Sequence, residues 1–314
     1  MALKQVIEIY ELLEASLIEE KKLKDHFQEK GIDDTEWNFH PVKGEKGETN
    51  FVKIQINGID GRALGGRAPT LGIVGRLGGI GARPHKIGLV SDADGAITAL
   101  ASASKILDLR SKGDQLRGDV IITTHLCPAS PIIPHDPVPF MDAPVSIETM
   151  NTYEVDHRME AILSIDTTKG NRIINHRGFA ISPTVKDGYI LKASEDLLDI
   201  MQTVSGQPPV VFAITMQDIT PYGNKVFHLN SILQPATATH APVVGVAITT
   251  EVPVAGCATG ANHCIDIEMA VRFVVEVAKS WGEGRCSFFD QNEFQRLLAL
   301  YGSMEHLKTL GKRE

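Results

Sequence analysis

The residues best equipped for chemistry stand at the ends of apolar runs. Asp92 and Asp94 lie in Gly88-Leu-Val-Ser-Asp-Ala-Asp-Gly95, between a short apolar run and a helical stretch. An aspartate at the carboxyl end of a buried strand, ahead of a glycine and a helix, sits where α/β sheets bind ligands. Aspartate also caps helices, because its oxygen accepts from the first free amides, so both readings stand for this pair. Asp166 closes the run Ala161-Ile-Leu-Ser-Ile165. His125 and Cys127 follow Asp119-Val-Ile-Ile-Thr-Thr124, and alternate residues of an extended strand share a face. An imidazole and a thiol so placed suit a transition metal or a nucleophile–base pair. The structural alternative is a buried thiol beside a hydrogen-bonded imidazole. His135-Asp136, in the proline-rich stretch from Pro128 to Pro144, offers a general base or another ligand. His263, between Cys257 and Cys264, could chelate. Arg76 and Arg83 flank the glycines of Gly75-Arg-Leu-Gly-Gly-Ile-Gly81, and a guanidinium suits a carboxylate or phosphate through paired bonds. That run lacks the Gly-Lys-Ser/Thr ending of a phosphate loop.

The elements that must position these groups are legible in outline. Residues 3–30 carry Val6, Tyr10, Leu13, Leu17, Leu23 and Phe27 at helical spacing, so residues 1–35 read as an amphipathic helix ending near Gly31. Residues 36–314 then read as a single α/β domain. Strands are expected at 51–56, 70–74, 86–90, 119–124, 161–165, 210–215 and 243–248, and helices at 96–109, 193–204, 265–280 and 290–302. Apolar strands separated by helices imply three α/β/α layers around a mainly parallel mixed sheet. The stretch from Pro128 to Pro144 reads as a long ordered loop, the kind that often carries function.

Composition narrows the classes. A formal net charge of -8 argues against nucleic acid or anionic lipid as partner. No apolar stretch reaches the roughly 20 residues that span a bilayer, and the charged N-terminal region lacks a secretory core. Cys127, Cys257, Cys264 and Cys286 form no disulfide framework, which fits a reducing cytoplasm. A homo-oligomer is expected.

The order strand, Asp-x-x-Gly, helix, Gly118-Asp-Val-Ile-Ile-Thr-Thr124 resembles the central unit of the co-catalytic zinc aminopeptidases and carboxypeptidase-type deacylases. Ala161 to Asp166 is similar to that clan's strand ending in a metal-binding Asp. Ala241 to Ile248, with the loop and helix from Ile265, is similar to its final strand, metal-His loop and helix. Gly75-Arg-Leu-Gly-Gly-Ile-Gly-Ala-Arg-Pro84, with Ser91 to Gly95, also resembles a bacterial family catalogued as domain of unknown function 1177. The clan resemblance implies an aminopeptidase-like fold and zinc or another divalent transition metal held by Asp92, His125, Asp166 and His263. The clan's His-x-Asp is replaced by Gly75-Arg76-Leu77 and its Glu pair by Thr124-His125, so a base is expected among His135, Asp136 and Asp94. The implied activity is metal-dependent hydrolysis of an amide or peptide bond in a small-molecule or short-peptide substrate, its carboxylate held by Arg76 or Arg83. The alternative is a non-catalytic protein that binds a metabolite or partner on the same scaffold. A third reading uses Cys127 as nucleophile with His125.

Overall fold

The computed structural model describes residues 1–14, 19–76, 78–81, 88–226 and 232–312. The N-terminal stripe folds as two helices rather than one, α1 (Leu3–Leu13) and α2 (Glu20–Glu29). Val6, Ile9 and Leu13 are buried on the first, Leu23 and Phe27 on the second, so each docks its own apolar face. Leu17 lies outside the described residues. Gly31, at φ 90°, ends α2 by bending the chain back, so that Ile32 N–H donates to Phe27 O.

A hairpin of β1 (Trp37–Gly44) and β2 (Gly47–Ile56) follows, then β3 (Leu71–Gly75), α3 (Asp94–Arg110) and β4 (Val120–Leu126). The proline-rich stretch contains a small hairpin, β5 (Ile132–Ile133) with β6 (Phe140–Met141), and α4 (Ile147–Glu154) leads into β7 (Ala161–Lys169). Short strands β8 (Gly178–Ile181), β9 (Val185–Lys186) and β10 (Tyr189–Ile190) precede α5 (Glu195–Ser205) and the single turn α6 (Met216–Ile219). The chain closes with β11 (Val243–Thr250), α7 (Cys264–Gly282) and α8 (Gln291–Tyr301).

Among the described residues, one nine-stranded sheet runs β1-β2-β4-β3-β7-β11-β9-β10, with β8 also paired to β11. β4, β3, β7 and β11 are mutually parallel, and the flanking strands are antiparallel. Every residue of β3, β4 and β11 is buried, as a sheet covered on both faces requires. Leu71, Ile73, Ile122, Leu163 and Val246 pack with α1, α3 and α7 on one face. Val74, Ile121, Ile162 and Ala247 pack with Phe212, Ile232 and Leu233 on the other. The expected three-layer mixed sheet is therefore present.

Two expected strands differ. Residues 210–215 form no strand, only a bridge from Val211 to Ile181. Both ladders of β11 are already filled by β7 and by β8 with β9, and Phe212 instead packs over Gly245 on the sheet face. In 86–90, residues 86 and 87 lie outside the described ones, and Val90 makes an isolated bridge to Thr259.

Candidate functional site

Parallel register brings three of the expected residues level. Gly75 pairs with Thr124 on one side and Ile165 on the other. One residue further on, Arg76, His125 and Asp166 therefore stand side by side at the carboxyl ends of β3, β4 and β7. They share the parity of Val74, Ile121 and Ile162, so they face the layer that contains α4. All three are almost completely buried.

Two of them are bound to a residue that the sequence did not mark. Glu154, the last residue of α4 and fully buried, accepts from His125 Nδ1 at 2.5 Å and from an Arg76 guanidinium nitrogen. A second guanidinium nitrogen of Arg76 donates to Asn151 Oδ1 at 3.1 Å, one turn back on α4. His125 Nε2 accepts from Gly78 N–H at 3.2 Å. Burial alone would raise the Glu154 carboxyl, but His125 and Arg76 outweigh it and hold the group below its ordinary value. Both ring nitrogens of His125 thus have protein partners, so neither is left for a metal. The Arg76 fork is likewise taken up in a buried ion pair rather than presented to a substrate carboxylate.

Asp92 is in the opposite condition. It lies in a single 3-10 turn, Ser91–Ala93, directly before α3. Ser91 Oγ donates to Ala255 O at 2.7 Å and Asp92 N–H donates to Gly256 O at 3.3 Å, which ties the turn to the loop after β11. A Cβ on Gly79 would come 3.3 Å from Asp92 Cβ, and one on Gly256 3.4 Å from Asp92 Oδ1. These two glycines therefore let backbone close on the carboxylate from two sides, with Met141 of β6 against both. Among the described residues no donor or cation reaches the Asp92 carboxylate. Burial, then the charges of Asp166 and Asp94, push its carboxyl well above the ordinary value, against the pull of Lys169.

Asp94, the first residue of α3, is closed off. Its oxygens meet Lys169 Nζ at 2.5 Å and Asn262 Nδ2 at 2.7 Å, in an ion pair almost free of solvent. This removes Asp94 as a ready base. Asp166 accepts from Thr167 N–H at 2.5 Å and lies close enough to Asp92 to raise it.

The remaining expected residues are spread apart. Cys127 is buried, donates to Thr49 Oγ1 at 2.9 Å, and burial pushes its thiol up to about 12. His125 is turned to Glu154 and Gly78, so the expected cysteine–imidazole pair is not formed in this structure. His135 and Asp136 are exposed on the β5–β6 turn, the imidazole against Phe140 with a bond to Val138 O at 3.3 Å. His263 is exposed at the N-cap of α7. Arg83 lies outside the described residues.

Among the described residues, one group of three potential metal ligands has its atoms within 4.8 Å of one another: Asp187, His240 and Glu305. The expected quartet of Asp92, His125, Asp166 and His263 does not come together in this way. The triad lies near the start of β11, at the opposite end of the strand from the loop that reaches Asp92. Asp187 is already paired with Lys186 at 2.9 Å, His240 at 2.7 Å and Lys308 at 3.6 Å. Sequence reasoning missed this triad, and also Glu154, Asn151, Lys169 and Asn262. Lys169 alone left a signal, a charge soon after the acidic end of an apolar run.

Residues 40–311 match the family described as "Protein of unknown function (DUF1177)", and the chain belongs to that family. No curated protein matches it. Among solved structures it is similar to the crystal structure of a glutaminyl cyclase from an Acidobacteriales bacterium, with a TM-score of 0.50 and 12% identity. The likeness covers 90% of this chain and 94% of that one. At that identity it speaks for the fold alone, and the fold is of the zinc-aminopeptidase type. No helix among the described residues is long and apolar enough to cross a membrane.

Proposed function

We propose that this protein is a metal-dependent hydrolase. It holds one zinc or other divalent ion through Asp92 and Asp166 and cleaves an amide or peptide bond in a small-molecule or short-peptide substrate. The observation that carries the reading is Asp92, a carboxylate shut off from water beside two other acids, with no donor or cation among the described residues. Such a group must take a proton or a cation, because an isolated buried charge is too costly. Its place at the carboxyl edge of the parallel strands is where α/β sheets bind ligands. The carboxylate oxygens of Asp92 and Asp166 are suitable donors for a divalent ion. A bound ion there supplies Lewis acidity and lowers the pKa of water. The residues of the chain do the rest. Asp92 and Asp166 hold the charge, and Gly79, Gly256 and Met141 wall the carboxylate.

One observation favours a second reading, a binding protein without turnover. The described groups nearest to a base role are engaged, Asp94 by Lys169 and Asn262, His125 by Glu154 and Gly78. Full-length protein reconstituted with zinc, manganese or cobalt and offered dipeptides and N-acyl amino acids separates the two. Amine release that stops on chelation and in Asp92→Asn supports the hydrolase. Stoichiometric metal without turnover supports the binding protein, and neither metal nor turnover in any preparation removes the hydrolase and leaves the binding protein.

A further inference from the structure

We infer that Glu154 is a positioning residue for the Asp92 site, acting through His125 and the Gly78–Gly79 backbone. The inference rests on the metal reading above.

No hydrogen bond joins Glu154 to Asp92, but a chain of fixed contacts leads from one to the other. With Glu154 accepting from Nδ1, the imidazole of His125 carries its proton there and presents Nε2 as an acceptor. The donor that meets it is Gly78 N–H at 3.2 Å. Gly78 returns its carbonyl to Cys127 N–H at 2.7 Å, and Ile80 N–H donates to Cys127 O at 3.0 Å. The glycine segment is thereby laid along the chain beyond β4. It has no slack: a Cβ on Gly78 would stand 1.3 Å from His125 O. Gly79 comes next, the residue whose backbone walls Asp92 and Met141. Glu154 sets the tautomer of His125, the tautomer sets the Gly78 amide, and the amide sets the wall. Asn151 and Arg76 hold Glu154 itself in place from α4 and β3. Outer partners that orient metal-binding groups in this way typically cost about 10–100-fold in metal affinity when removed.

Cobalt(II) titration of the metal-free full-length protein, followed by its visible absorption, tests this with two substitutions at the middle of the relay. His125→Gln keeps one donor and one acceptor; His125→Leu keeps neither. Glutamine should hold cobalt within about threefold of wild type, whereas leucine should weaken it about 10–100-fold and alter the absorption bands while cooperative melting persists. Glu154→Gln should resemble His125→Leu, and if it does not fold, the pair at position 125 decides. Wild-type affinity and spectrum in His125→Leu would overturn the inference. Equal weakness in His125→Gln and His125→Leu would overturn it too, by making the imidazole itself a ligand. Asp92→Asn keeps the two failures apart. Cobalt binding unchanged by Asp92→Asn contradicts the metal reading, while loss there with no loss in His125→Leu contradicts only the positioning role.

Discussion

Two carboxylates at the same edge of one sheet, Glu154 and Asp92, are both buried and are pushed in opposite directions. Glu154 has an imidazole and a guanidinium on its oxygens, which hold its carboxyl below the ordinary value despite burial. Asp92 is buried with two acids for neighbours, and its carboxyl is pushed well above the ordinary value. Burial alone therefore does not mark a functional carboxylate; what decides is whether the protein supplies the opposing charge. Around Glu154 the chain is self-sufficient, and around Asp92 it supplies no hydrogen-bond donor or ion-pair partner among the described residues.

The largest effect should come from unbalancing the self-sufficient region. Arg76→Met leaves Glu154 charged and half-answered in the interior, and should cost about 3–5 kcal/mol of stability. Arg76→Met with Glu154→Gln removes both charges and should recover part of that loss. Urea denaturation of the single and double variants measures it.

Next in size is the wall between the two regions. Gly79→Ala places a Cβ 2.7 Å from Met141 Cε, which should cost about 1–3 kcal/mol and displace β6 or Asp92. Ile80→Val, one position on, should cost less than about 1.5 kcal/mol, which shows whether the crowding at position 79 is specific.

The Asp92 substitution should run the other way. Because the Asp92 carboxyl is raised in the folded state, metal-free stability is full below the ordinary carboxylate value and falls as pH climbs toward the raised one. Glu154 has the opposite sign: its contribution is present above the ordinary value and is lost as pH falls through the lowered one. Metal-free Asp92→Asn should therefore melt above wild type at neutral pH and lose the decline on the alkaline side of the ordinary carboxylate range. A lower melting point for Asp92→Asn in chelator would show that the buried charge has an unrecognised partner.

These contrasts also show what the sequence could reveal. Asp92 and Asp166 are readable because each sits at the end of an apolar run next to a helix or turn signal, a position that topology brings to the carboxyl edge of the sheet. α3, α5, α7 and α8 were readable from helical spacing. Glu154 was not, because it ends a short helix that follows the proline-rich stretch, and nothing in Met150-Asn-Thr-Tyr-Glu154 shows that the last residue turns inward onto β3 and β4. β8, β9 and β10 have only two to four residues each, too few for a period. His-x-Cys looked like a reactive pair on spacing alone; the partners Thr49 and Glu154 that settle its state come from distant parts of the chain.

The smallest effect should be at Cys127. With its thiol pushed up to about 12 and bonded to Thr49, alkylation at pH 7.5, far below that value, should be slow with or without chelator. Rapid labelling by iodoacetamide, read by mass spectrometry, would contradict the buried state.

The most direct test is calorimetric titration of zinc into metal-free wild type, Asp92→Asn and His240→Ala. His240 belongs to the triad whose half-buried aspartate already has two lysines, so that substitution should leave the tight site intact. Wild type should bind one tight zinc, His240→Ala the same, and Asp92→Asn with an affinity more than about 100-fold lower, beyond what outer partners alone contribute. Tight binding that survives Asp92→Asn and disappears in His240→Ala would place the metal at the other end of β11 and contradict it.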